Sequence, residues 1–170
     1  MRSLLTDEKY NFVSFEEKEF IIAFDEAMIK AGYESNGINP YVCLGKYKIE
    51  YSRSGVKTKK FAARFYFRDT GIVFRLYFTN IDKHRAAVEN APEFIKNAFV
   101  NEIGKCKQCD QNGGGIGKGG RCTFKKTYTI DGILHEKCAG ENFYFTNHDV
   151  AAIPEYTKLI GAFYPAKKLS

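Results

Sequence analysis

Two eight-residue runs, FAARFYFR (61–68) and GIVFRLYF (71–78), leave only Asp69 and Thr70 between them, and no other feature constrains the fold as much. A two-residue turn at that point pairs Arg68 with Gly71. One face of the hairpin then carries Phe67 opposite Ile72, Phe65 opposite Phe74, Ala63 opposite Leu76 and Phe61 opposite Phe78, all apolar. A slip of one residue would send this set to the other side, so the register is specified by the pattern itself. The opposite face holds Arg64 facing Arg75, Tyr66 facing Val73 and Ala62 facing Tyr77. A third strand-like run, 41–51, suits the same sheet, with Tyr47, Ile49 and Tyr51 toward the core and Lys46 and Lys48 on the arginine side.

Like charges directly across a sheet repel and are normally avoided. Arg64 and Arg75, with Tyr66, Tyr77 and Lys48 around them, therefore form a candidate anion-binding face. Open sheets with basic and aromatic side chains hold single-stranded nucleic acid in this way, phosphates on the cations and bases on the rings. In the competing reading a helix or the cysteine hairpin covers this face, and the arginines stack on tyrosines or pair with Glu50 or Asp69. Charge is consistent with a negative partner: 26 basic against 20 acidic residues give a net +6. It is also unevenly placed, since residues 52–68 carry six basic groups and no acid. Residues 1–35 carry four basic and eight acidic groups, and residues 105–138 seven and three. Lysines that only keep loops soluble would give a similar tally.

The remaining elements are legible from period and punctuation. FEEKEFIIAFDEAMIKA, 15–31, is an amphipathic helix with a capping box of Ser14 and Glu17 at its start and Gly32 at its end. Helices are also expected over 82–89, over 91–102 with Asn90 as cap, and over 150–163 with Val150 among its core residues. FKKTYTIDGILHEK, 124–137, predicts a hairpin turning at Asp131-Gly132, and ENFYFTN one more short strand. With 44% hydrophobic residues, the chain can bury a substantial core. The expected fold is α+β: an antiparallel three-stranded meander packed on helices, with a cysteine-rich, zinc-ribbon-like β-hairpin insertion. Residues 1–104 would form the core, 105–140 the cysteine-rich hairpin subdomain, and 141–170 a closing strand and helix that return to the core.

The insertion carries the chain's most conspicuous chemistry. Gly115, Gly117 and Gly120 satisfy GxGxxG, but the loop opens a hairpin and not a helix, so no helix N-terminus is there to hold a pyrophosphate. The P-loop pattern fails too, with Asn112 in place of its first glycine and Gly119 after Lys118. Cys106 and Cys109 form a C-x2-C knuckle, and Cys122 and Cys138 bracket the hairpin. Four thiolates suit a tetrahedral, structural zinc ion, with Lys105, Lys107, Arg121 and Lys137 offsetting its charge. A strict two-residue turn places Cys122 opposite Glu141 and not Cys138, an offset that an early strand end or a bulge must remove. His135 is the alternative fourth ligand. A redox pair at Cys106 and Cys109, or unliganded thiols, are the other readings; Cys43, in a strand, reads as a small buried hydrophobe.

Catalytic constellations are missing from the sequence. No HExxH or GxSxG occurs, and His84-Arg85-Ala86 lacks the glutamate of the deaminase pattern. His84, His135 and His148 read as surface or capping histidines. No run is long enough for a signal-peptide core or a membrane span, which predicts no membrane association and a cytoplasmic, reducing location. The expectation is a non-enzymatic, zinc-stabilised binding module for an anionic partner, nucleic acid leading. The alternatives are a small-molecule sensor with an aromatic-lined pocket between sheet and helices, and a thiol-redox protein.

Overall fold

The computed structural model of the chain describes residues 1, 5–41, 43–53, 61–103, 125–138 and 142–165. Helix α1, Phe15–Lys30, starts as its sequence dictates. Ser14 Oγ accepts from the Glu17 amide at 3.1 Å, and Glu17 Oε2 accepts from the Ser14 amide at 3.2 Å. The other Glu17 oxygen accepts from the Ile72 amide at 2.9 Å, so one carboxylate ties the helix N-terminus to a strand 55 residues away. That approach requires Gly71: its φ is +111°, and a Cβ there would lie 2.6 Å from Glu17 Oε1.

Strands β1 (Tyr33–Ser35), β2 (Asn39–Pro40), β3 (Tyr47–Arg53), β4 (Phe61–Arg68) and β5 (Gly71–Tyr77) follow. The pairing of β4 with β5 has the expected register, from Arg68 opposite Gly71 through Arg64 opposite Arg75 to Ala63 opposite Leu76. The meander β3–β4–β5 is the middle of a larger antiparallel sheet of order β1-β3-β4-β5-β8, with β2 also paired to β3. Strand β3 begins six residues later than the run 41–51 predicts, because the Tyr41 amide donates to the Lys46 carbonyl at 2.9 Å and closes a loop first. Cys43 therefore lies in that loop and is exposed, not buried in a strand.

A second departure lies at the start of β4. Tyr51 pairs with Ala63 and Ser52 with Phe61, so Ala62 is an extra residue, a β-bulge. The bulge turns Phe61 onto the face of Ser52 and Arg64, overturning its expected place opposite Phe78 in the apolar set.

After β5 come α2 (Arg85–Glu89) and α3 (Glu93–Val100). Pro92, not Asn90, is the cap of α3; Asn90 closes α2, with its amide and its Nδ2 both donating to the Ala86 carbonyl. Hairpin strands β6 (Lys125–Ile130) and β7 (Ile133–Cys138) turn at Asp131-Gly132, whose φ values of +50° and +76° belong to the tight turn that Asp-Gly favours. Tyr128 anchors the hairpin, donating to the Phe99 carbonyl at 2.6 Å. Lys137 is buried, its ammonium donating to the carbonyls of Asn101 and Ile103 beyond the end of α3. It thus ties the hairpin to the segment that follows α3, a task the sequence pattern did not suggest. Strand β8 (Asn142–Phe145) returns to pair with β5, and α4 (Ile153–Phe163) closes the chain. Val150 precedes α4 in a 3-10 turn and is 46% exposed, so it does not serve the core as expected.

The core lies between the sheet and helices α1 and α4. Phe65 and Phe74 stack at 4.7 Å across β4 and β5. Phe20 and Phe24 of α1 and Tyr156 of α4 meet Phe74 edge-on at 5.0–5.4 Å, the orientation that ring quadrupoles favour. Among the described residues no helix is long and apolar enough to cross a membrane. The architecture is mixed α+β with antiparallel sheets.

Candidate anion-binding face

Alternation along each strand sends the residues between the core positions to the opposite side of the sheet. There the pairings place Glu50 of β3, Arg64 of β4, Arg75 of β5 and Tyr144 of β8 side by side in one row. The neighbouring row is Lys48, Tyr66 and Val73, and Tyr77 lies on the other flank. All five residues expected from the sequence, Arg64, Arg75, Tyr66, Tyr77 and Lys48, therefore share one face. Tyr144, Tyr41 and Phe61 join them.

The repulsion between the two arginines is relieved unequally. Arg64 Nε lies 2.7 Å from Glu50 Oε1, an ion pair lacking the alignment of a hydrogen bond. Lys48 shares the same carboxylate at 3.1 Å, and Asn36 Nδ2 donates to it at 3.0 Å. Arg64 also sits 3.9 Å over the ring of Phe61, which the bulge has brought to it. Its Nη1 donates weakly to the hydroxyls of Tyr66 and Tyr77, themselves 2.9 Å apart. Burial, helped by the neighbouring Tyr66 hydroxyl, raises the Tyr77 pKa well above its ordinary value. Tyr77 thus stays a neutral donor near neutral pH. The pairing of Arg64 with Glu50 is the competing reading of this face, and for that arginine it is what the structure contains.

Arg75 has no such acid. It is 8% exposed, with its guanidinium carbon 4.1 Å from the ring centre of Tyr144 and 5.0 Å from that of Tyr66. Its Nη2 donates to the Tyr144 hydroxyl, and its buried Nε has no hydrogen-bond partner. Among the described residues no carboxylate pairs with it. Tyr66 is 1% exposed and fully covered, so it supports the cations from beneath and offers no ring to a ligand. Tyr77, Tyr144 and Tyr41 are partly exposed and can. Tyr41 already lies under the Lys48 ammonium at 4.6 Å. Lys46, expected on this face, pairs instead with Asp69 at 2.5 Å beside the β4–β5 turn.

Tyr144 was within reach of sequence reasoning. ENFYFTN reads as a strand, but nothing local says that its partner is β5. Phe61 carried no signal, since a bulge leaves no period-2 trace.

Of the four candidate metal ligands, Cys138 is described: an exposed free thiol at the end of β7, opposite Lys125. Cys106, Cys109 and Cys122 lie outside the described residues, as does the glycine loop. Among the described residues no group of three or more His, Cys, Asp or Glu could hold a metal ion. His135 pairs across the hairpin with Tyr128 and stacks on it at 5.8 Å. Three positions apart on one strand, His135 and Cys138 point to opposite faces, which argues against His135 as a substitute ligand beside that thiol.

Compared with known proteins, the chain matches no family model, no curated protein and no solved structure.

Proposed function

We propose that the protein is a non-enzymatic binding module whose Arg64–Arg75 sheet face takes an anionic partner, single-stranded nucleic acid being the partner its chemistry suits best. The observation that carries this reading is Arg75: a buried guanidinium between two tyrosine rings, with no carboxylate among the described residues and an idle Nε donor. Guanidinium groups match phosphate oxygens, and partly exposed tyrosines such as Tyr77 and Tyr144 offer surfaces to bases. The small-molecule alternative draws less support. It needs room between sheet and helices, where Phe20, Phe24, Phe65, Phe74 and Tyr156 pack ring on ring. The test is fluorescence anisotropy with mixed-sequence oligonucleotides across a salt series. Binding that weakens steeply with salt is expected; absent or salt-insensitive binding overturns the reading.

Zinc belongs to the same proposal as a structural staple, held by Cys106, Cys109, Cys122 and Cys138. A four-thiolate site has no open position for catalysis and contributes to folding. Elemental analysis should find about one zinc per chain, with the four thiols alkylated only after denaturation. Metal-free protein with freely alkylated cysteines overturns it.

A further inference from the structure

Arg64 and Arg75 face each other across β4 and β5, yet they are not equivalent. The row supplies one carboxylate, Glu50, and it stands on the far side of Arg64, two strands from Arg75. Leaving a buried donor unmade is costly, and a buried charge without an acid is costlier still. The packing of β5 gives Arg75 two tyrosine rings and the Tyr144 hydroxyl, but among the described residues no carboxylate and no acceptor for Nε.

Resting on the reading of this face as an anion site, we propose that Arg75 is its phosphate-binding centre and that the ligand is a nucleoside phosphate, free or as a link in a single strand. The phosphate takes the Nε and an Nη of Arg75 as a fork, and the base stacks on the ring of Tyr144. Tyr144 is the movable part. Among the described residues its strand, β8, pairs with β5 alone, and Tyr144 is partly exposed with its ring beside the guanidinium. When that ring swings aside, it uncovers Nε without disturbing β4 or β5 and presents its own face to the base. Glu50 sets the limit: its carboxylate occupies Arg64 and Lys48, and it repels a second phosphate from that end of the row. The row therefore accepts one phosphate, at Arg75.

Arginine Nε–Hε resonances of the full-length, 15N-labelled chain report the site directly, and Arg75→Lys assigns the signal by removing it. Three probes are titrated at low salt: inorganic phosphate, uridine monophosphate and a short oligothymidylate. The Arg75 signal is expected to shift saturably with uridine monophosphate and oligothymidylate, and more weakly with phosphate. Arg75→Lys, which keeps the charge but loses the fork, should weaken both nucleotide ligands about tenfold, whereas Arg85→Lys, on α2 away from the face, should change little. An unchanged amide spectrum shows that each variant is folded.

Oligothymidylate that binds wild type and Arg75→Lys alike, with the Arg75 signal unmoved, overturns this inference and leaves the anion-binding face standing. Silence toward all three probes overturns both. A response to uridine monophosphate without one to oligothymidylate upholds the phosphate centre and overturns the strand as partner. Equal affinity for phosphate and uridine monophosphate removes the stacking role of Tyr144.

Discussion

The two faces of the central sheet are made from the same strands by simple alternation, and they satisfy their side chains in different ways. On the core face Phe65, Phe74 and Leu76 are 0–1% exposed and need only neighbours of suitable shape. Phe20, Phe24 and Tyr156 supply these, and the arrangement tolerates any partner that fills the volume. On the opposite face Glu50, Arg64, Arg75 and Tyr144 stand in a row where every donor needs a particular acceptor. Packing is fully solved on the first face. Polar pairing on the second is incomplete: Arg64 Nε and Glu50 Oε1 meet as an ion pair without a hydrogen bond, and Arg75 Nε has neither. That difference marks where stability is made and where function is to be sought, because binding sites retain unsatisfied polar groups that a ligand can use.

Neighbouring positions on β5 give the sharpest test of this division. Phe74→Ala removes a ring packed among six others and should cost about 3–5 kcal/mol of stability in a urea titration. Gly71→Ala comes next. It forces a side chain into a positive-φ position against Glu17 and should cost about 1–3 kcal/mol, read the same way. Arg75→Met, one residue from Phe74 but on the other face, should change stability by less than about 1 kcal/mol, since an apolar chain of similar length removes a charge lacking an acid. A loss as large as that of Phe74→Ala would break the comparison and make Arg75 a structural residue.

The smallest effect concerns the one histidine that shares the core face. His148 stacks on Phe20 at 5.4 Å, and its Nε2–H donates to the Phe145 carbonyl. Burial holds its pKa below the ordinary 6.5, with the Phe145 carbonyl and the nearby Glu17 carboxylate offsetting part of that shift. The unfolded chain then binds the proton more readily than the folded one. This contribution to stability is complete above pH 6.5 and falls away as the pH drops below it. Urea midpoints measured between about pH 7.5 and about pH 5 should decline less in His148→Gln than in wild type. Equal declines would place the acid sensitivity elsewhere.

How much of this was readable in advance depended on distance along the chain. The β4–β5 register, the capping box of α1 and the Asp131-Gly132 turn all appear as read, because each is fixed within a few residues by side-chain period or backbone stereochemistry. These local rules also placed Arg64 opposite Arg75 and therefore found the candidate face. They said nothing of which acid would reach which arginine. Lys137 was assigned to the charge of a metal site on sequence proximity, yet its ammonium donates to carbonyls more than thirty residues away, at Asn101 and Ile103.

Sequence alone thus determined the hairpins, the main helix and the pairing of the two arginines. Tertiary structure decided what those arginines mean. Strand β8 comes back to β5 across 69 residues to set Tyr144 against Arg75. The bulge at Ala62 turns Phe61 under Arg64, and β3 brings Glu50 to one arginine and not the other. Such pairings follow from the closing of long loops and the shared packing of the whole sheet, in which no single segment carries the information.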